Sequence, residues 1–150
     1  MNENKNIDLK KLNAFLRKNQ SVDFRQADLV HQVSIDTYKW TGLENEKDPL
    51  LRQLKAYQRL LRVLPDDMGD LKTADVAKAF LTRGVESALQ ITGIPKKAFV
   101  QDYLDIVGGN SQLIEQVYQR AIACRKGVTL RYMNRSQLLE PHAQAAGLNR

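Results

Sequence analysis

The chain is poor in the residue types that carry most protein chemistry. It holds one cysteine, Cys124, in 150 residues. That excludes an internal disulfide framework and a zinc site built from several thiolates. Two histidines, His31 and His142, leave little material for an imidazole metal centre. Neither a metal nor a cofactor is expected. No stretch approaches the roughly 20 consecutive apolar residues that cross a bilayer. The first dozen residues, MNENKNIDLKKL, lack the apolar centre of a secretory signal. No P-loop, GxGxxG, HExxH or GxSxG pattern occurs. No run alternates for five or more residues as a half-buried strand would, and Val22 to Phe24, the nearest, is too short.

What is present is an ordinary globular balance. Hydrophobic residues make up 43% and charged residues 27%, which argues against a disordered or collagen-like chain. There are 23 Lys+Arg against 17 Asp+Glu, a net charge of +6. A chain of this length usually forms one domain and buries roughly 70% of its unfolded surface, enough for a core without bridges or metals. Turn-forming clusters such as GLENEKDP, PDDMGD, TGIP and GGNS cut the chain into short segments. Between them, apolar residues recur at three and four, the spacing of one helix face. The expected fold is all-α, an irregular bundle of about six to seven helices in a single domain over residues 1–150.

A first helix is expected from Asp8, its cap, to Lys18, with Leu9, Leu12, Phe15 and Leu16 on its apolar face. A second segment is expected over Asp23 to Trp40, weakened by the β-branched VSIDT run. The best-defined helix has Asp48 as cap and Pro49 as first residue, then Leu50, Leu51, Leu54, Tyr57, Leu61 and Leu64. Pro65 ends it. Thr73 should cap a fourth helix through Leu81, closed at Gly84. A compact unit follows: one or two turns from Ser87 to Ile91, a corner at Gly93-Ile94-Pro95, and a helix opened by Pro95 with Phe99, Val100, Tyr103, Leu104 and Ile106. Gly108-Gly109 stops that helix. Asn110 or Ser111 caps a long helix reaching Tyr132, with Ile114, Val117, Tyr118, Ala121 and Val128 inward and a weak point at Gly127. Ser136 is a candidate cap for a short final helix. Residues 141–150 read as a tail.

Chemistry-bearing candidates are few, and each has a plainer reading. Cys124 lies among alanines on a helical pattern, where a thiol behaves as a small hydrophobe. His142 follows Pro141 near the tail. Asp66, Asp67 and Asp70 crowd one loop but lack the spacing of a calcium loop. Ser34 to Trp40 has the serine and aspartate of a sialidase Asp-box without its glycine, and the tryptophan comes one residue early. No catalytic residue is assigned. The basic excess offers more. Arg52, Lys55, Arg59 and Arg62 form a stripe about 80° wide on one helix. From Gln116 onward there are six Lys+Arg and one Glu. Such a stripe can meet phosphates or an acidic partner surface, or can simply be the solvated face of an amphipathic helix. The corner ITGIPKKA approaches the helix-hairpin-helix turn that holds a DNA phosphate. Pro95 stands in place of its second glycine and removes an N–H.

The order of features from Leu50 to Tyr132 resembles a known family. LLRQLKAYQRLLRVLPD precedes a short amphipathic helix, then GVESALQITGIPKKAFVQDYLDIVGGN, then IEQVYQRAIACRKGVTLRY. This is similar to the N-terminal helical region of the A subunits of Tc (toxin complex) insecticidal toxins and their virulence-plasmid relatives. Gly84, Ser87, Ala88, Ile91, Pro95, Phe99, Gly108, Tyr118, Arg120 and Ala121 occupy the places of that family's signature. The match covers about 80 of the 150 residues, within a module over residues 48–135. Residues 1–45 carry no family mark. The signature is structural in kind: a small residue for close helix approach, apolar fillers on both sides of a corner, a proline start and a glycine stop.

The resemblance implies a non-enzymatic helical module that packs against other toxin-complex domains or subunits, in a family whose A subunits are very large pentamers with a helical shell around a translocation channel. A chain of this size cannot contain that channel. It reads as an excised piece or as a small protein that borrowed the module. A second copy of the chain is a further candidate partner. The expected location is the bacterial cytoplasm before release with a toxin assembly, without an N-terminal secretory signal. The alternative is a small basic nucleic-acid-binding domain resting on the Arg52/Lys55/Arg59/Arg62 stripe. An enzyme using Cys124 or the Asp66/Asp67/Asp70 group ranks third.

Overall fold

The computed structural model describes residues 7–139, with side chains for residues 7–127. Among these residues seven α-helices follow in order: α1 (Lys10–Lys18), α2 (Gln32–Ile35), α3 (Lys47–Val63), α4 (Thr73–Thr82), α5 (Ala88–Thr92), α6 (Lys96–Tyr103) and α7 (Ser111–Leu139). Short 3-10 turns precede α3 (Glu44–Glu46) and follow α6 (Leu104–Val107). No strand occurs among the described residues, so the fold is all-α.

Helix boundaries follow local chemistry, with corrections to the expected starts. Asp8 does accept the Lys10 N–H at 2.9 Å, but α1 begins two residues later than expected. α3 begins at Lys47, because the 3-10 turn feeds straight into it. Asp48 therefore lies inside the first turn instead of capping it, where its charge still favours the helix N-terminus. Pro49 also lies in that turn, where a missing N–H leaves no intrahelical bond unmade. Leu64 is extended at ψ 145, as the residue before Pro65 must be. Thr73 sits inside α4 rather than at its cap, which is Lys72 with no side-chain bond.

Gly84 closes α4 at φ +85. Its N–H donates to Leu81 O at 2.9 Å and the Val85 N–H to Phe80 O at 3.0 Å, the paired bonds that satisfy the last carbonyls of a helix. Ser87 caps α5, its hydroxyl accepting the Gln90 N–H at 3.3 Å. Asn110 Oδ1 accepts the Leu113 N–H at 3.1 Å and caps α7. α7 then runs unbroken through Gly127, since a penalty of about 1 kcal/mol does not end a helix of this length. Ser136 lies inside α7 and caps no further helix. The Val128 side chain, His142 and the expected tail 141–150 lie outside the description.

The largest departure is residues 23–40, which form irregular turns and the single helical turn α2. Aspartates intercept the backbone. Asp23 takes the Arg25 N–H at 3.0 Å, and Asp28 takes those of Val30 at 2.9 Å and His31 at 3.1 Å. Such local bonds compete with helix formation. Tertiary tethers then fix the segment. Gln58 of α3 donates to Phe24 O at 2.8 Å and Ala27 O at 2.7 Å, and Asn19 bonds both Phe15 O and Lys39 O.

Burial forms one continuous core from Leu9 to Ala121. Aromatic residues are few, yet eight of the ten fall into two clusters. Phe15 centres the first, with Trp40 at 4.6 Å and Phe24 at 5.6 Å between ring centroids. Phe99 centres the second, with Phe80 at 6.0 Å, Tyr103 at 5.1 Å and Tyr118 at 5.4 Å. The second cluster joins α4, α6 and α7, so it sets how α7 lies across the bundle.

Candidate interaction groove

The residues of the family-like signature are interior or sit at turns. Ala88, Ile91, Phe99, Tyr118 and Ala121 are buried. Ala88 lies where α5 packs on α7, and Ile91 and Phe99 are fully enclosed on either side of the corner. Pro95 precedes α6 at φ −55 and is exposed. Gly108 ends the helical run at φ +67. The Tyr118 hydroxyl donates to Ile94 O at 2.7 Å, tying α7 to the corner. Arg120 has a structural task that its place in the pattern did not reveal. Its Nε donates to Val63 O at 2.7 Å, so a side chain of α7 caps the C-terminus of α3. A cation there also opposes the negative end of the helix dipole.

The corner does not present amides to a phosphate. The Gly93 N–H donates to Leu89 O at 3.1 Å and the Ile94 N–H to Ile91 O at 3.1 Å. Pro95 has none to give. Phe99 is enclosed and Tyr103 half-buried, so neither is a free stacking face.

The expected basic stripe is divided by the fold. Arg52 and Lys55 line a groove of about 610 Å³ beside the start of α1, shared with Glu86. Arg59 borders both that groove and a larger one of about 920 Å³, which Arg62 also lines. The larger groove runs between the C-terminal half of α3, the start of α5 and α7. There Arg59 and Arg62 meet Arg120 and Arg125. Among the described residues no Asp or Glu lines it. Its aliphatic part comes from Val63, Ala88, Leu89 and Ala123, and Leu89 is 64% exposed. Cys124 lies in the same wall, half-buried.

Three of these arginines share one geometry. Arg59 Nε donates to Glu86 O at 3.2 Å, Arg62 Nε to Arg25 O at 2.8 Å, and Arg120 Nε to Val63 O. Each guanidinium is thereby anchored by its inner nitrogen. None of the three forms an ion pair among the described residues. Arg125 could be read in sequence only as part of a basic excess, Arg120 as part of that excess and of the family-like signature, and Leu89 as one more apolar residue. No local signal tells that α7 brings its arginines to the end of α3.

Two carboxylates of the acidic loop, Asp66 and Asp67, serve local structure. Asp66 pairs with Arg25, and Asp67 accepts the Gly69 N–H at 3.0 Å. No group of three or more His, Cys, Asp or Glu side chains is placed to hold a metal among the described residues. Ser34, Asp28 and His31 cluster in the loop before and within α2. The Ser34 hydroxyl and the His31 Nδ1 both bond the same Asp28 oxygen, at 2.9 and 2.8 Å. The hydroxyl faces the carboxylate and not the imidazole, so the ring has no proton to draw from it. Backbone N–H groups of Val30 and His31 hold the Asp28 carboxyl far below the usual carboxylate range. Among the described residues no helix is long and apolar enough to cross a membrane. No protein-family model, curated protein or solved structure matches this chain.

Proposed function

We propose that this chain is a non-enzymatic helical interaction module of a bacterial toxin or virulence assembly, similar to part of the shell of a Tc toxin A subunit. The observation that carries this reading is the use made of the signature residues. Ala88, Ile91, Phe99, Tyr118 and Ala121 are packing positions that lock α5, α6 and α7 together, the role that the resemblance implies for them. The partner is then another domain or subunit of the assembly, or a second copy of the chain. The test is light scattering coupled to size exclusion, on the full chain alone and mixed with a Tc A-subunit shell fragment. A stable complex or a defined oligomer is expected. A strict monomer that binds no toxin-complex component would overturn the reading.

The cluster of Arg59, Arg62, Arg120 and Arg125 favours one second reading, a small basic domain that binds nucleic acid. Binding would then fall steeply with salt, with a slope in log–log form of about −0.9 per phosphate neutralised. No change in fluorescence anisotropy of a labelled duplex at low salt excludes it.

A further inference from the structure

We propose that the larger groove docks an acidic, amphipathic segment of a partner protein, with carboxylates held by Arg59 and Arg62 and an aliphatic side chain seated on Leu89. This rests on the module reading above and adds the surface and the chemistry of the partner. Charge complementarity argues for it first. Among the described residues, Arg59, Arg62 and Arg120 line the groove outside any ion pair, and no carboxylate lines it.

Preorganisation argues for it second. The Nε bonds of Arg59 and Arg62, at 3.2 and 2.8 Å, fix the position of each guanidinium. Both terminal nitrogens of each remain for a carboxylate, which matches the fork geometry of arginine. A side chain already held in place loses less rotamer entropy on binding. The two residues are three apart on α3, about 4.5 Å along the axis, close to the spacing of glutamates one turn apart on a docked helix.

The aliphatic part decides between classes of anion. Leu89 is 64% exposed on a helix whose neighbours Ala88 and Ile91 are buried. Bases would stack on aromatic faces, and among the described residues no aromatic side chain lines this groove. A helix bearing carboxylates along one edge and Leu or Ile beside them uses both features at once.

Cys124 provides the measurement. It lines the groove and is the sole cysteine of the chain. Its rate of reaction with a chromogenic disulfide reagent therefore reports occupancy. The probes are a synthetic helical peptide with Glu at i, i+4 and Leu beside them, its Glu-to-Gln counterpart, its Glu-to-Lys counterpart and a short DNA duplex. The acidic peptide should slow modification of the full chain by about fivefold near 80% occupancy, and the Gln peptide should not. The double variant R59E/R62E should lose protection by the acidic peptide and gain it from the Lys peptide. That exchange rules out mere unfolding. Leu89→Ser should weaken protection by about tenfold in peptide concentration.

Equal modification with and without the acidic peptide overturns the proposal. So does protection that persists in R59E/R62E, or stronger protection by the duplex. A toxin-subunit complex that survives R59E/R62E discards the groove and leaves the module reading intact. Peptide protection without any subunit complex does the reverse.

Discussion

Replacing Phe99 with Ala tests whether the signature acts through packing. Phe99 is fully buried, and its ring lies within 5.1 to 6.0 Å of three others. A buried Phe→Ala change costs about 3–5 kcal/mol. Aromatic pairs add about 0.5–1.5 kcal/mol each beyond burial, though the losses overlap because one ring serves all three. A cost of about 4 kcal/mol follows. With a urea slope of about 2 kcal/mol/M, the midpoint should fall by about 2 M. Circular dichroism of the full chain in urea measures it. Domains of this size have about 5–15 kcal/mol in total, so the Ala variant can lie near the folding threshold. Phe99→Leu keeps most of the volume and should cost about 1–1.5 kcal/mol, which leaves a measurable transition. Lys97→Ala, exposed on the same helix, should stay within about 0.5 kcal/mol. A midpoint shift below about 0.5 M for Phe99→Ala would refute the claim that this corner is held by its core.

Gly84→Ala meets no atom within 4 Å of the new Cβ, so its cost is the left-handed backbone alone, about 1–2 kcal/mol by thermal or urea unfolding. Arg120→Ala removes the donor to Val63 O, a carbonyl on a residue only 1% exposed; unfolding should show a loss of about 1–3 kcal/mol. Asp28→Asn should destabilise at neutral pH, because the backbone N–H groups of Val30 and His31 and the imidazole lower the carboxyl pKa on folding. The stability from a depressed carboxyl is present above the unfolded value of about 3.9 and is lost as pH falls below it. The gap between wild type and Asp28→Asn should therefore narrow between pH 7 and pH 3, read from urea midpoints. A gap that widens would contradict the assignment.

Elements with strong periodicity and hard punctuation were legible in the sequence. Leu50, Leu54 and Leu61 at helical spacing before Pro65 specify α3, and Gly84 and Gly108 mark helix ends because a left-handed residue is needed there. The stretch from Asp23 to Trp40 was not legible as irregular. Its apolar residues fit a helix, and the forces against it are side-chain bonds from Asp23 and Asp28 together with tethers from Gln58 and Asn19, up to 34 residues away in the chain. The expected α7 ran through Gly127 to Tyr132, whereas the helix continues to Leu139, because Ser136, read as the cap of a further helix, lies inside it. At the candidate groove, only Arg59 and Arg62 were visible in advance as cations of a binding stripe, while Ser87, Ala88, Arg120 and Cys124 were read for other reasons. That Arg52 and Lys55 fall into another groove, and that Arg120 and Arg125 replace them, depends on where α3 ends against α7.

That junction links the packing signature to the binding surface. α3 stops at Val63 because Pro65 follows, and a helix end inside a protein leaves carbonyls that need donors. Arg120 supplies one from α7, and Arg59 and Arg62 give their own Nε groups to carbonyls of Glu86 and Arg25. Guanidinium groups can close helix ends and loops in this way while keeping their charge and a planar pair of outer donors; a lysine keeps the charge but has no such fork, and a glutamine has no charge. The result is a set of cations fixed in position by the fold's own backbone bonds around an exposed Leu89. Arg62→Lys is then informative beyond its conservative look. It keeps the charge, but its three donors radiate from one tetrahedral nitrogen, so it cannot hold a carboxylate by two parallel bonds while it bonds the Arg25 carbonyl. Affinity for the acidic peptide should therefore drop by several-fold, about 1 kcal/mol, with little change in the unfolding midpoint. Equal affinity of the Lys variant would show that charge alone, and not the tethered fork, does the recognising.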